Sequence, residues 1–335
     1  MSVVAERPQK RPTLKELASE AGVSVASASY AVNGTGSVGD KTREHILEVA
    51  RRIGYRQNAA ARATKIGRTG TMGLVVPDLT NPFFPSLAQS VIQTARGHGY
   101  GVFVTDTEGS EQLETEALAM LADRGVDGVI WFPVRDSDTS AGALANVPTV
   151  VVDRAIPHFD TILADYAEGG RQAANHLIEA GHRRIGIISG PDDILSMRQR
   201  CEGAMEVILA HGTLAFRVTN AFSVDLEPAV IDALDEQGAT AVFAGADVIA
   251  IGVLRHLAAT GRSVPADLSV IGFDDIPWSE LTAPPLTTID LPLHSMAAEA
   301  VEALIRKIER REGARRTVVV STSLVLRDTV ARLKS

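Results

Sequence analysis

"TLKELASEAGVSVASASYAVNG" (Thr13–Gly34) contains two short amphipathic helix patterns separated by about three residues. Thr13 followed by Glu16 fits a capping box, in which the two side chains satisfy the free amides of a helix start. Leu14, Leu17, Ala18 and Ala21 share one face, and Gly22 supplies the stop. Ser24 then caps a second helix with Val25, Ala28 and Val32 on its inner side. So short a connection forces a steep crossing, as in a helix-turn-helix. Small side chains at Ala18 and Ala28 let the two backbones approach. A third helix starts after Asp40 and runs through Ile46, Val49 and Ile53 to Gly54. The front of the chain therefore reads as an all-α three-helix domain.

Its charge points to a polyanion. Residues 1–70 hold 12 Lys/Arg against 6 Asp/Glu, net +6, whereas the remainder holds 21 against 35, net −14. On the outer side of the second helix, Ser24, Ser27 and Ser29 offer short hydroxyls for phosphates or base edges. Val25 and Ala26 lie at its N-terminal end, where a recognition helix meets bases, and suit a thymine methyl. Tyr30, one turn on, offers a ring and a hydroxyl. Thr13, Asn33, Lys41, Arg43 and Arg62 complete the candidate DNA contacts, the cations as phosphate partners.

The whole chain of 335 residues is too long for one ordinary core and predicts two or three folding units. The single cysteine, Cys201, excludes an internal disulfide and a cysteine-based metal cluster, and fits a reducing cytoplasm. No signal-peptide pattern opens the sequence, and no apolar run reaches the roughly 20 residues of a membrane helix.

From Met72 onward, β-branched runs ("MGLVVP", "GVFVTD", "GVIWFP", "TVVVD", "RIGIISG", "AVFAG", "LSVIGFDD", "LTTID") alternate with helical patterns. The helices expected include residues 82–97, 111–124, 168–180 and 194–211, with another over 295–310. Such alternation predicts parallel sheets with helices on both faces, arranged as two Rossmann-like lobes. Ligands of such sheets bind beyond the carboxyl ends of the strands. The loops there carry Asp78, Asn81, Asp153, Arg154, Asp274 and Asp275, with Arg198 in "SMRQRCEG". Carboxylates with an arginine suit a neutral polyhydroxylated ligand, and Phe83, Phe84, Phe222 and Trp278 offer flat apolar surfaces.

"TLKELASEAGVSVASASYAVNG", "KTREHILEVARRIGYRQNAAAR" and "GLVVPDLTNPFF" together resemble the lactose-repressor/galactose-repressor family of bacterial transcription regulators, over about Thr13 to Asp328. The resemblance implies a helix-turn-helix head over 1–57, a hinge helix and linker over 58–70, and a two-lobed, periplasmic-binding-protein-like body over 71–335. The body's crossovers are expected near 162, 291 and 314. It also implies a homodimer on a near-palindromic operator, with no enzymatic activity, cofactor or metal. Asn58, Ala61 and Arg62 match the hinge motif, but Thr64 stands where the family has a base-wedging leucine. Asp78, Asn81, Phe84, Asp153, Arg198, Phe222, Asp247 and Asp274 match effector-pocket positions. Ala246-Asp247 replaces the family's Asn-Asp, which implies a ligand different from its best-known sugars.

Rival readings exist for the body alone. A sugar-nucleotide or phosphosugar enzyme, or a periplasmic solute-binding protein, fits two α/β lobes; neither explains the basic three-helix front. "GHGYG" (97–101) lies at a helix end leading into a strand, the reverse of a dinucleotide loop. The chain is therefore expected to be a ligand-responsive DNA-binding regulator, a repressor, with the direction of the ligand's effect on DNA binding left open. With no heptad extension after "VARLKS", a dimer is favoured over a tetramer.

Overall fold

The computed structural model describes residues 12–56, 67–137, 139–236, 238–309 and 314–333. The chain divides into two compact units, residues 1–69 and 70–335.

In the first unit, α1 (Leu14–Glu20), α2 (Val25–Asn33) and α3 (Asp40–Ile53) pack around Leu17, Ala21, Ala31, Ile46, Val49 and Ala50. The capping box forms: Thr13 N–H donates to Glu16 Oε2 (2.6 Å) and Glu16 N–H to Thr13 Oγ1 (3.3 Å). α2 ends at Gly34, whose φ of 68° is the left-handed conformation only glycine adopts freely.

The second unit has two lobes. Its first lobe is a six-stranded parallel sheet in the order β11-β5-β4-β3-β1-β2. The strands are β1 (Thr71–Val76), β2 (Gly101–Asp106), β3 (Gly128–Trp131), β4 (Thr149–Val152), β5 (Asp160–Ala164) and β11 (Thr317–Val320). Helices α4 (Phe83–Gly97) and α5 (Glu111–Asp123) connect the first of these, and α10 (Leu293–Ile308) packs beside α4. β1, β3 and β4 are almost wholly apolar and buried, as strands covered on both faces must be.

The second lobe is a four-stranded parallel sheet, β7-β6-β8-β9, formed by β6 (Arg184–Ser189), β7 (Thr213–Thr219), β8 (Ala241–Ala244) and β9 (Ser269–Ile271). α6 (Tyr166–Glu179), α7 (Leu195–His211), α8 (Pro228–Glu236) and α9 (Asp247–Ala259) surround it. An antiparallel pair, β10 (Thr288–Asp290) and β12 (Ser323–Val325), completes it. The chain passes between lobes after β5, after β10, and between β11 and β12. The third passage therefore lies at residues 320–323, later than the expected 314, because β11 occupies 317–320.

α6 and α7 lie unusually close. A Cβ at Gly170 would sit 2.0 Å from the Arg200 carbonyl oxygen, and one at Gly203 2.0 Å from that of Ala167. These two glycines let α7 press against α6 along its length, which fixes the rotation of α7 about its own axis. That rotation decides which arginine faces the site.

Candidate functional site

The carboxyl ends of both parallel sheets face a cavity of about 680 Å³ between the lobes of the second unit. Asp78 and Asn81 reach it from the β1–α4 loop, Phe84 from the first turn of α4, and Asp153 and Arg154 from the end of β4. From the other lobe come Ser196, Met197 and Arg200 of α7, with Phe222 and Asp274. Asp153 (φ 68°) and Asp274 (φ 117°) both hold backbone conformations that are costly for a side-chain-bearing residue. Such strain clusters where a side chain must be aimed at a ligand.

Each polar group is held by neighbours. Asp78 Oδ1 accepts from Thr80 N–H (2.7 Å) and Oγ1 (2.6 Å), which closes the turn into α4. Asn81 Oδ1 accepts from Phe83 N–H at 3.1 Å. The Phe84 ring stands edge-on to Phe132, with centroids 6.0 Å apart. Asp153 accepts from the Tyr166 hydroxyl and pairs with Arg154. Burial pushes the Arg154 guanidinium down from its ordinary value, against the pull of Asp136.

Arg200 is the buried cation of the second lobe. Its Nη1 donates to Asp274 Oδ1 (2.7 Å) and to the Gly245 carbonyl (2.8 Å). The guanidinium also stacks 4.1 Å above Phe273 and 5.2 Å from Tyr166. Among the described residues its Nε is buried without a hydrogen-bond partner and Nη2 makes no hydrogen bond, so the guanidinium keeps unused donors beside the cavity. Burial raises the Asp274 carboxyl to about 6 even though Arg200 pulls it down.

Four expected pocket residues lie elsewhere: Asp275 pairs with Arg327 (2.7 Å) and Trp278 is half-exposed, both off the cavity wall, and Arg198 and Asp247 have other roles. Arg198 does not line the cavity: it donates to the Asp192 carbonyl at 2.8 Å and stands 3.7 Å from Asp136. Two residues along a helix is a rotation of about 200°, so Arg198 and Arg200 point to opposite sides. Asp247 is fully buried beneath the cavity rather than in its wall. Its oxygens accept from Ile276 N–H (3.0 Å), Ser279 Oγ (2.6 Å) and Thr288 Oγ1 (2.6 Å), tying the start of α9 to the strained Asp274 loop. Burial, reinforced by the charge of Asp274, raises its carboxyl to about 8.

On the first unit, Ser24, Val25, Ala26 and Tyr30 are exposed on α2, and Thr13 and Lys41 are exposed nearby. Ser24 Oγ accepts from Ser27 N–H (3.0 Å) as the helix cap, and Asn33 Nδ2 donates to the Ser29 carbonyl (2.6 Å). The hydroxyls of Ser24 and Ser27 meet each other (2.9 Å) and that of Ser29 accepts from Asn33 (3.1 Å), which leaves Val25, Ala26 and Tyr30 as the exposed side chains of the helix. Asn58, Ala61, Arg62 and Thr64 lie outside the described residues.

A helix-turn-helix unit joined to a two-lobed α/β body with an interlobe cavity defines a ligand-responsive DNA-binding regulator. Comparison with known proteins is specific about which kind. Residues 13–58 match the model of the lacI family of bacterial regulatory proteins, and residues 174–330 match a periplasmic binding protein-like domain. The ribose operon repressor of Halalkalibacterium halodurans is 32% identical over 95% of this chain and 96% of its own. Two solved structures agree. The regulator CelR bound to cellobiose has 30% identity and a TM-score of 0.72, covering 95% of this chain and 100% of its own. The Lac repressor dimer bound to operator and the anti-inducer ONPF has 25% identity and a TM-score of 0.85, covering 96% and 100%. The chain belongs to the LacI family: it is a transcription regulator, not an enzyme. Among the described residues no helix is long and apolar enough to cross a membrane.

Proposed function

We propose that this protein is a cytoplasmic, homodimeric repressor whose operator affinity is set by a neutral polyhydroxylated metabolite, a sugar or a close relative, held between the lobes. The observation that carries the ligand class is charge compensation. All three arginines at the cavity are already paired: Arg200 with Asp274, Arg154 with Asp153 and Asp136, Arg135 with Glu111 and Asp193. Among the described residues no surplus cation lines the cavity to meet a phosphate or carboxylate. The pairs instead present charge-assisted donors and acceptors to hydroxyls, beside the faces of Phe84 and Phe222. The ribose and cellobiose in the names of the relatives agree with this class.

Binding of DNA falls to α2. Val25, Ala26 and Tyr30 meet bases, and Lys41 and its neighbours meet phosphates, with two heads in successive major grooves. A ligand that closes the lobes changes the spacing at which the dimer presents its two heads, and so the free energy of binding DNA.

Thermal unfolding of the full chain with neutral mono- and disaccharides, sugar phosphates and purine bases tests the ligand class. A neutral sugar at 100 times its Kd raises Tm by several degrees, on the order of 5 °C. Stabilisation by a sugar phosphate or purine, with none by any neutral sugar, would overturn the assignment.

A further inference from the structure

Helix α7 carries Ser196, Met197 and Arg200 into the cavity, yet it begins without a cap of its own. Its N-cap is Ile194, an apolar residue that makes no side-chain hydrogen bond to the helix. The missing acceptor comes from the opposite lobe. Asp136, in the loop after β3, takes the Leu195 N–H on Oδ2 at 2.6 Å. A carboxylate there satisfies an orphan amide and meets the positive end of the helix dipole.

Asp136 is itself gripped. Arg154 Nε lies 3.4 Å from Oδ1, and Arg198 Nη2 lies 3.7 Å from Oδ2, one cation from each lobe. Its loop is anchored from below by buried Glu114, which accepts from Trp131 Nε1 (2.9 Å) and Val134 N–H (2.7 Å). The neighbouring Arg135–Asp193 pair spans the same gap, but both side chains are about half exposed (50% and 51%) and screened, so it holds little.

We propose that Asp136 is an interlobe cap that couples lobe closure to the order of the first turn of α7, and thereby positions Ser196 and Met197 for the ligand. Opening the lobes strips the helix of its acceptor and Asp136 of a cation at once. Closure restores both, and the first turn of α7, which carries Ser196 and Met197 to the cavity, is stiffened in the closed state. Arg198 works in this latch rather than in the cavity. The consequence for signalling rests on the ligand-responsive reading above; the latch itself is tested without any ligand.

Three variants of the full chain separate the parts. Asp136→Ala removes the acceptor. Leu195→Pro removes the donor while leaving Asp136 in place, since proline is tolerated at the first helical position and Ile194 (φ −102°, ψ 120°) already has a conformation suited to precede it. Asp136→Asn keeps an acceptor but loses the charge. Hydrogen exchange over residues 194–200 and spin-label distances between Gln112→Cys and Glu227→Cys, in a Cys201→Ser background, are the two readouts. Asp136→Ala and Leu195→Pro are expected to exchange about fivefold faster there and to gain a longer-distance population, while Asp136→Asn stays near the parent. Unchanged exchange and distances in both Asp136→Ala and Leu195→Pro overturn the proposal. So does opening in both Asp136 variants with Leu195→Pro unchanged, which would assign closure to the ion pairs alone. If Asp136→Ala does not fold, Leu195→Pro against Asp136→Asn decides by the same readouts.

Discussion

Replacing Arg200 by methionine lowers the affinity of the cleft for its sugar by about a hundredfold or more, and leaves operator binding by the ligand-free protein intact. Methionine keeps a flexible apolar stem beside Phe273 and Tyr166 but removes every donor. The loss has two parts. A charge-assisted hydrogen bond to the ligand disappears, and Asp274 loses the one cation that draws its carboxyl down. Without Arg200 that carboxyl holds its proton at neutral pH, so the cavity surrenders a charged acceptor as well. Together these amount to about 3 kcal/mol. Arg198→Ala, two residues away, is expected to stay within a few-fold of the parent, because its guanidinium lies outside the cavity. Calorimetric titration of both variants decides the matter. Equal ligand affinity in Arg200→Met and the parent, or a larger loss in Arg198→Ala, would mean that the wrong arginine has been placed at the ligand.

The body should become less stable as pH rises from 4 to 8, the opposite of the usual acid sensitivity. Asp247 and Asp274 keep their protons in the fold up to about 8 and about 6, whereas in the unfolded chain both titrate near 3.8. Unfolding therefore releases protons throughout that window, and stability declines with pH by at most about 1.4 kcal/mol per unit for each group. Above pH 7 the decline comes chiefly from Asp247; nearer pH 6 it is opposed by His176 and His182, whose imidazoles burial pushes below the ordinary 6.5 and which therefore favour the fold as they lose their protons. An asparagine at that position satisfies the same neighbours at every pH: its oxygen takes the Ile276 and Ser279 donors, and its amide donates to Thr288 Oγ1. Asp247→Asn is thus expected to flatten the decline between pH 6 and 8 and to match or exceed the parent's stability at pH 8. Urea unfolding at a series of pH values measures both. A parent whose stability is level or rising across 6–8, with a variant that tracks it, would show that Asp247 is ionised in the fold.

Much of this architecture is legible because its signals are local. The Thr13–Glu16 box, the stop at Gly22 and the three-residue connection specify the helix pair without help from the rest of the chain. In the body, long amphipathic stretches place α4, α5, α6 and α7 within about two residues of their observed ends. The strands that escape notice are β5, β7, β11 and β12. β7 and β11 are edge strands and half exposed, β12 is short and partly exposed, and β5 opens on the polar pair Asp160-Thr161, so none presents the unbroken apolar run of a central strand.

At the site, single residues are harder to read than the loops that carry them. The β1, β4 and β9 ends are marked by carboxylates, which is enough to find the cavity wall. Choosing between Arg198 and Arg200 requires the rotation of α7. That information was present in the spacing: Met197, Arg200, Cys201, Ala204, Val207 and Ile208 form one buried stripe, and Arg198 falls off it. Asp247 stands at the start of a helix, where a carboxylate is usually a solvated cap; only the close packing of Gly272, whose added Cβ would lie 2.1 Å from Asp247 Oδ1, makes it a buried strut. Asp136 has no local signal at all, because its partner amide is 59 residues away.

The most direct test of the link between cleft and DNA is the operator Kd of the full chain, measured by fluorescence anisotropy at one fixed salt concentration. The duplex is the tightest binder selected from a random pool, and the titration is run with and without the sugar that most raises Tm. The expected result is a five- to 150-fold change in Kd, about 1–3 kcal/mol of coupling. A sugar that stabilises the protein strongly while the operator Kd stays the same would contradict the claim that filling the cleft controls the hold on DNA.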